Sequence, residues 1–460
     1  MENINNYIES KRGEMAEELS RLIKIDSAAT PAEDGCPFGK GSAEALNSAA
    51  ELMERLGFRC RNYDNYVVTG EIGEGELALD ILAHMDVVPG GDGWSVTTPF
   101  EPKIIGDNIY GRGASDDKGP AIAAMYAMKA VLESGVPLRK RIRMILGGNE
   151  ENGGGDDLEY FYAREKGAEY SVSPDADYPL INCERGINDI FFSGDIGGGS
   201  MEIALIDAGF RPNAVPGAAT LEYKPSGDDR LDAVFNEKLA PLGLSLEEAE
   251  AENPGFRRVR IIGEGCHSSL PELGKNALTA LLWLLRELDA DKNLSALSRL
   301  FPYGDGHGTA ARIDMSDEES GRITVSLNML KIENGKAKGV VDCRVPLCAT
   351  EENCAGALSA GLLEAGFGTD DRRITGVHYV PKDSEFVRTL LASYEKITGR
   401  RGEPIAIGGG TYVHDIENGV AFGCQEQGTD YRMHGADEYF SIDELVRSAK
   451  IYADVILSMK

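Results

Sequence analysis

The stretch RIRMILGGNEENGGGDD, residues 141–157, decides how the chain is read. An apolar run of strand length ends in two glycines, and Glu150 and Glu151 stand side by side just beyond it. Side chains alternate sides along an extended backbone. Two adjacent carboxylates at such a place therefore either have different tasks or form only the solvated end of a strand. The neighbouring segments choose the fold. ELALDILAHMD (76–86) reads as a buried strand, GPAIAAMYAMKAVLESG (119–135) as a helix, and YSVSPDADYP (170–179) contains a further short strand. Pro120 near the first turn and Gly135 after the end bound that helix. SAEALNSAAELMERLG (42–57) is a helix stopped by Gly57, and Met15, Leu19, Leu22 and Ile23 give an amphipathic helix before it. Strand–helix–strand order implies right-handed crossovers and an α/β unit with a mostly parallel central sheet.

At 460 residues the chain exceeds one ordinary core, and two domains are expected. The middle changes style. NDIFFSGDI, SMEIALIDAG, RRVRIIGEG and RITVSLNMLKIENGKAKGVVDCRVPL read as strands with turns, and KNALTALLWLLRELDA and NCAGALSAGLLEAGF read as helices. From about residue 384 the α/β style returns, ending in the helix SIDELVRSAKIYADVILSM. The expected organisation is one α/β domain, 1–182 plus 385–460, interrupted by an α+β lid domain at 183–384.

Lys+Arg 47 against Asp+Glu 76 gives a net charge of −29. Such a field repels phosphate backbones and acidic membranes, which excludes nucleic acid as the expected partner. No segment approaches the ~20 apolar residues of a membrane span, and no signal peptide is visible. The eight cysteines form no CxxC pair and read as free thiols. A cytoplasmic location is expected.

His84 and Asp86 lie two residues apart at the end of the 76–86 strand, where the carboxylate can orient the imidazole. Asp116 and Asp117 sit in the glycine-rich loop YGRGASDDKGP before a helix; helix capping is the ordinary use of such residues. Yet His84, Glu150, Glu151 and Asp175 also fall at or past strand ends, and open parallel sheets bind ligands beyond their carboxyl ends. Clustered carboxylates repel and take up protons unless cations compensate. Three carboxylates with two imidazoles carry −3. Two divalent ions carry +4, and one bridging hydroxide closes the balance. A second histidine is needed, and it must come from far downstream.

HMDVVPGGDGW (84–94), GRGASDDKGP (111–120), NEENGG (149–154), SPDADYP (173–179), GCHSSLPELGKNA (265–277) and HGADEYFSIDEL (434–445) together resemble the co-catalytic zinc metallopeptidases. That family includes carboxypeptidase G, amino-acid deacylases, carnosinase and PepV-type bacterial dipeptidases. The resemblance covers nearly the whole chain and implies a phosphorylase/hydrolase-like zinc peptidase fold. It assigns His84 and Asp175 to one metal ion, Glu151 and His434 to the other, and Asp116 to both, with a cis peptide between Asp116 and Asp117. It implies Asp86 as the carboxylate behind His84, Glu150 as general base and His267 as oxyanion stabiliser. Zinc is the expected metal, and manganese or cobalt would also suit the donors. Asn213 in RPNAVPG and Arg344 in DCRVPL resemble lid residues that hold substrate, with a salt bridge as the alternative for Arg344. Gly410 and Thr411 in GGGTYV are further substrate-binding candidates, with a plain turn as the alternative. His307, His378 and His414 match no motif. The long lid looks most like the PepV-type enzymes and implies a monomeric dipeptidase. An N-acyl amino acid deacylase, a carboxypeptidase, or a metal-binding protein without hydrolysis are the competing readings.

Overall fold

The computed structural model describes residues 1–153, 155–197, 199–225 and 230–459; Gly154 of the NEENGG motif lies outside them. The chain forms two compact units. The first comprises Met1–Asn182, Tyr379–Ile405 and Gly410–Lys460, and the second Cys183–His378 and Ala406–Gly409. This differs from an insertion at 183–384: residues 379–384 belong to the first unit, and the short piece 406–409 returns to the second.

The first unit is built on a sheet ordered Arg59–Tyr63, Val67–Ile72, Arg141–Gly147, Leu77–His84, Tyr170–Ser173, Gly419–Ala421 and Ile181–Glu184. Pairing is parallel from Arg141–Gly147 through Gly419–Ala421 and antiparallel on either side. The expectation of a mostly parallel sheet thus holds for the four central strands and fails at the flanks. One cause is a tight hairpin. Asp64 and Asn65 both have positive φ, 52° and 58°, and return the chain directly into an antiparallel neighbour.

Helix Lys118–Glu133 packs on Leu77–His84 and Arg141–Gly147 and against the C-terminal helix Ile442–Ser458. It is almost wholly buried because alanine, glycine and methionine dominate all its faces. Its first residue, Lys118, is buried too and donates from Nζ to the carbonyls of Leu22 and Ile25, each at 3.0 Å. These lie at the end of helix Arg12–Ile23, where a cation offsets the helix dipole. Burial pushes the Lys118 ammonium down to about 8.

The second unit is an eight-stranded antiparallel sheet ordered Ser245–Ala249, Arg257–Ile262, Ala218–Lys224, Glu202–Ala208, Thr324–Glu333, Lys336–Val345, Gly186–Asp195 and Phe367–Ile374. Helix Ala277–Glu287 packs on three of these strands, and the Asn276 side chain caps it by accepting from the Leu278 and Thr279 amides. No helix among the described residues is long and apolar enough to cross a membrane.

Candidate metal centre

Strand register brings the expected donors to one edge of the first unit. His84 ends its strand opposite Gly147, the last residue of the neighbouring strand. Asp175 lies two residues past the end of Tyr170–Ser173. The Asp116–Asp117 peptide is cis and directly precedes helix Lys118–Glu133. Asp117 turns back to accept the His84 amide at 3.1 Å, which ties the loop to the strand end.

The two oxygens of Asp116 serve two groups of donors. Oδ1 lies 2.9 Å from His84 Nε2, which is 3.6 Å from Asp175 Oδ2. Oδ2 lies 3.0 Å from His434 Nε2, which is 3.1 Å from Glu151 Oε2. Donors sharing one zinc ion at ordinary bond lengths and tetrahedral angles sit about 3.3 Å apart. The distances from each imidazole to its two carboxylates, 2.9–3.6 Å, bracket that spacing, and a mixed imidazole and carboxylate donor set suits a zinc-like ion. One atom each from His84, Asp116 and Glu151 falls within 4.8 Å of the others. His434 stands at φ 59° with its side chain 54% exposed, so it closes the cluster from the solvent side.

His84 Nδ1 faces the main-chain carbonyl of Asp86 at 3.0 Å, whereas the Asp86 carboxylate is 3.5 Å away. The carbonyl thus takes the orienting contact expected of the carboxylate. A proton held on Nδ1 by that carbonyl leaves the Nε2 lone pair for a metal. The carboxylate is engaged elsewhere: Oδ1 accepts the Glu150 amide at 3.1 Å and Oδ2 the Glu151 amide at 3.0 Å. Glu150 and Glu151 lie in a turn closed by the Gly153 amide on the Glu150 carbonyl, so strand alternation does not separate them. One buried carboxylate grips both of their backbones instead.

Glu438, Asp157 and Tyr412 support the site although no role was expected of them, even where they lie inside a quoted motif. Buried Glu438 accepts from Arg112 Nη1 at 2.6 Å, from the amides of Gly113, Ser115 and Asp116 at 3.1, 3.0 and 3.3 Å, and from Ser115 Oγ at 3.2 Å. It binds the Asp116 loop to the segment carrying His434. Buried Asp157 accepts the Gly148 and Asn149 amides, each at 2.9 Å, and the Tyr412 hydroxyl. The glycine at 147 follows from this: a Cβ there would lie 2.0 Å from Tyr412 Oη and 2.4 Å from Asp157 Oδ2.

The other candidates lie in the second unit or at the crossing into the first. The strand pair Ala214–Val215 and Cys266–His267 sets Asn213 beside His267, and the Asn213 carbonyl accepts the Ser268 amide at 3.0 Å. Arg344 is 4% exposed and donates twice to Asp342, at 3.1 and 2.9 Å, and once to the Gly408 carbonyl at 3.0 Å. Its salt bridge is therefore real, and two of its five N–H donors remain for another acceptor. Gly410 is exposed, and Thr411 begins a turn in which its carbonyl accepts the His414 amide at 3.0 Å. His307 points Nδ1 at the Ile323 carbonyl, 2.8 Å away, a structural contact.

Without cations the cluster must hold protons. Burial opposes charge on His84, but hydrogen bonds to Asp116, Asp175 and Asp86 outweigh it and raise the ring well above its usual value. Hydrogen bonds to Asp116 and Glu151 raise His434 to about 11. Burial would lift Asp116, but the two histidines hold it well below the carboxylate range. Burial, then the Asp116 charge, raises both Asp175 and Glu151. Burial raises Glu150 too; His84 opposes this, and the charges of Asp175, Glu151 and Asp116 add to it. Both imidazoles are thus protonated at neutral pH and must lose those protons to ligate. Metal uptake near pH 7 is expected to release two or more protons per chain, the two imidazole protons and those held by the raised carboxyls, and to strengthen as pH rises. Titration calorimetry in buffers of different ionisation enthalpy measures the number; zero release would contradict this electrostatic account.

A sequence model of the peptidase family M20/M25/M40 matches residues 81–458. The Beta-Ala-Xaa dipeptidase of Lactobacillus delbrueckii subsp. lactis is 33% identical over 469 residues, covering 99% of this chain and 98% of that protein. Among solved structures, the di-peptidase Dug1p of Saccharomyces cerevisiae aligns with a TM-score of 0.60 at 13% identity, over 99% of this chain and 98% of its own. Human carnosine dipeptidase 1 aligns at 0.59 and 15% identity, over 100% and 98%. At those identities the two structures speak for the fold. Family match, near-full-length relative and converging donor set lead to one conclusion: the chain belongs to peptidase family M20/M25/M40 and is a metallopeptidase that hydrolyses peptide bonds.

Proposed function

We propose that the protein is a dipeptidase with a dinuclear metal centre. The observation that carries this reading is the division of Asp116 between two donor groups at ligand spacing. His84, Asp175 and Asp116 would hold one divalent ion, and Glu151, His434 and Asp116 the other, zinc being the best match to the donors. Ions so held would polarise the scissile carbonyl and acidify the attacking water.

The remaining steps belong to side chains. Glu150 takes the proton from the attacking water and delivers it to the leaving amine. In the metal-free protein burial and the neighbouring acids raise its carboxyl, and bound cations would bring it down toward the carboxylate that a general base must be. His267 donates to the oxygen that gains charge in the transition state. Asn213, Gly410 and Thr411 contact the substrate backbone, and the two remaining Arg344 donors take the terminal carboxylate. The near-full-length likeness to a dipeptidase supports a two-residue substrate over a longer peptide.

The test is a panel of dipeptides, tripeptides and N-acetyl amino acids. It is run on metal-stripped protein with Zn²⁺, Mn²⁺ and Co²⁺ restored separately. Dipeptides are expected to turn over fastest, and the stripped protein to be inert. Faster hydrolysis of N-acetyl amino acids than of any dipeptide would make the protein a deacylase.

A further inference from the structure

The turn that follows His267 constrains the protonation of its ring. The Ser269 amide donates to His267 Nδ1 at 3.2 Å, and Ser269 Oγ lies 2.7 Å from the same atom. A proton on Nδ1 would point at the amide hydrogen, so this contact favours Nδ1 as acceptor and the ring proton on Nε2. The hydroxyl then donates to Nδ1 as well.

The turn itself cannot easily shift. The Leu270 amide closes it on the His267 carbonyl at 3.1 Å. The Ser268 hydroxyl donates to Asp342 at 2.9 Å, and the Ser268 amide to the Asn213 carbonyl at 3.0 Å. Ser269 is buried, and its carbonyl accepts from Arg185 Nη2 at 3.5 Å. Gly408 packs so closely here that a Cβ would lie 2.6 Å from Ser269 Cβ and 2.7 Å from Arg185 Nη2. The glycine thus leaves room for Ser269, while its carbonyl is held by Arg344.

We propose that Ser269 is a positioning residue that fixes His267 in the tautomer bearing its proton on Nε2, so that the ring meets a developing oxyanion as a ready donor. This rests on the role given to His267 above. An imidazole with its proton on Nδ1 would present a lone pair to the oxyanion and repel it. The serine acts through the histidine.

The experiment is NMR of the zinc-loaded protein labelled with ¹⁵N-histidine, at pH 8. The His267 signals are identified as those lost in His267→Gln. In the wild-type protein Nε2 is expected to carry the proton and Nδ1 to show a bare, hydrogen-bonded nitrogen. In Ser269→Ala the two nitrogens should move toward the mixed tautomers of a free ring, with kcat on the preferred dipeptide down about tenfold and KM within about twofold. Ser269→Thr keeps the hydroxyl and should restore both. A wild-type ring with its proton on Nδ1 overturns the proposal even if Ser269→Ala fails to fold. So do nitrogen signals in Ser269→Ala identical to wild type. Undiminished turnover by His267→Gln would instead overturn the role of His267, leaving the tautomer measurement standing.

Discussion

Glu150→Ala should retain its full metal content and lose roughly 10²–10⁴-fold in kcat, the usual worth of a positioned proton-transfer group. Glu151→Ala should instead lose metal, because Glu151 Oε2 lies 3.1 Å from His434 Nε2 in the donor group shared with Asp116. The comparison is clean because the Asp86 carboxylate grips the backbone amides of both residues, and truncation to alanine leaves those bonds in place. Elemental analysis of purified, dialysed protein with steady-state kinetics on the preferred dipeptide gives both readouts. Unchanged hydrolysis by Glu150→Ala would remove it as the base. Equal metal loss from the two variants would mean that both are ligands. A protein that only binds metal would show no kinetic difference between wild type and Glu150→Ala.

Glu438→Ala should be among the most destabilising single substitutions in the first unit, at about 3–5 kcal/mol, the range for removing one partner of a buried ion pair. Arg112 is buried against the Glu438 carboxylate, and truncation also strands three buried loop amides. The lost restraint falls on the Asp116 loop, so metal affinity should drop with stability. Urea unfolding of the metal-free protein measures the first effect, and competition with a chromophoric chelator the second. Glu438→Gln, which keeps the shape but not the charge, should lie between wild type and Glu438→Ala in both. An unfolding midpoint within error of wild type for Glu438→Ala would show that Arg112 and the loop find other partners.

Much of this site was legible because its signals are local. His84 and Asp86 close an apolar run, Glu150 and Glu151 follow a glycine pair, and Asp116 precedes a helix with a clear start. Each can be placed at a strand or helix end by periodicity alone. His434 lies 283 residues beyond Glu151 by subtraction of their numbers, and only the ordered motifs joined it to the others. Glu438, Asp157 and Tyr412 were missed for a different reason. A buried carboxylate that collects backbone amides looks, in sequence, like any exposed acid, because its partners are main-chain groups common to all residues. The flanking hairpin at Asp64 and Asn65 was missed because two positive-φ residues in a polar run resemble an ordinary loop.

The sequence by itself determined the alternation of elements, the change of style in the middle of the chain and the residue types able to hold cations, since these depend on hydrophobic period, turn chemistry and side-chain donors. Tertiary structure alone decided how those donors are shared. Asp116 faces His84 with one oxygen and His434 with the other because Asp117 and Glu438 hold its loop from two sides. Glu150 and Glu151 part company because Asp86 anchors their amides in a turn rather than a strand. Arg344 is drawn onto Asp342 and Gly408 because a buried guanidinium must satisfy its donors, and the acceptors that do so come from packing.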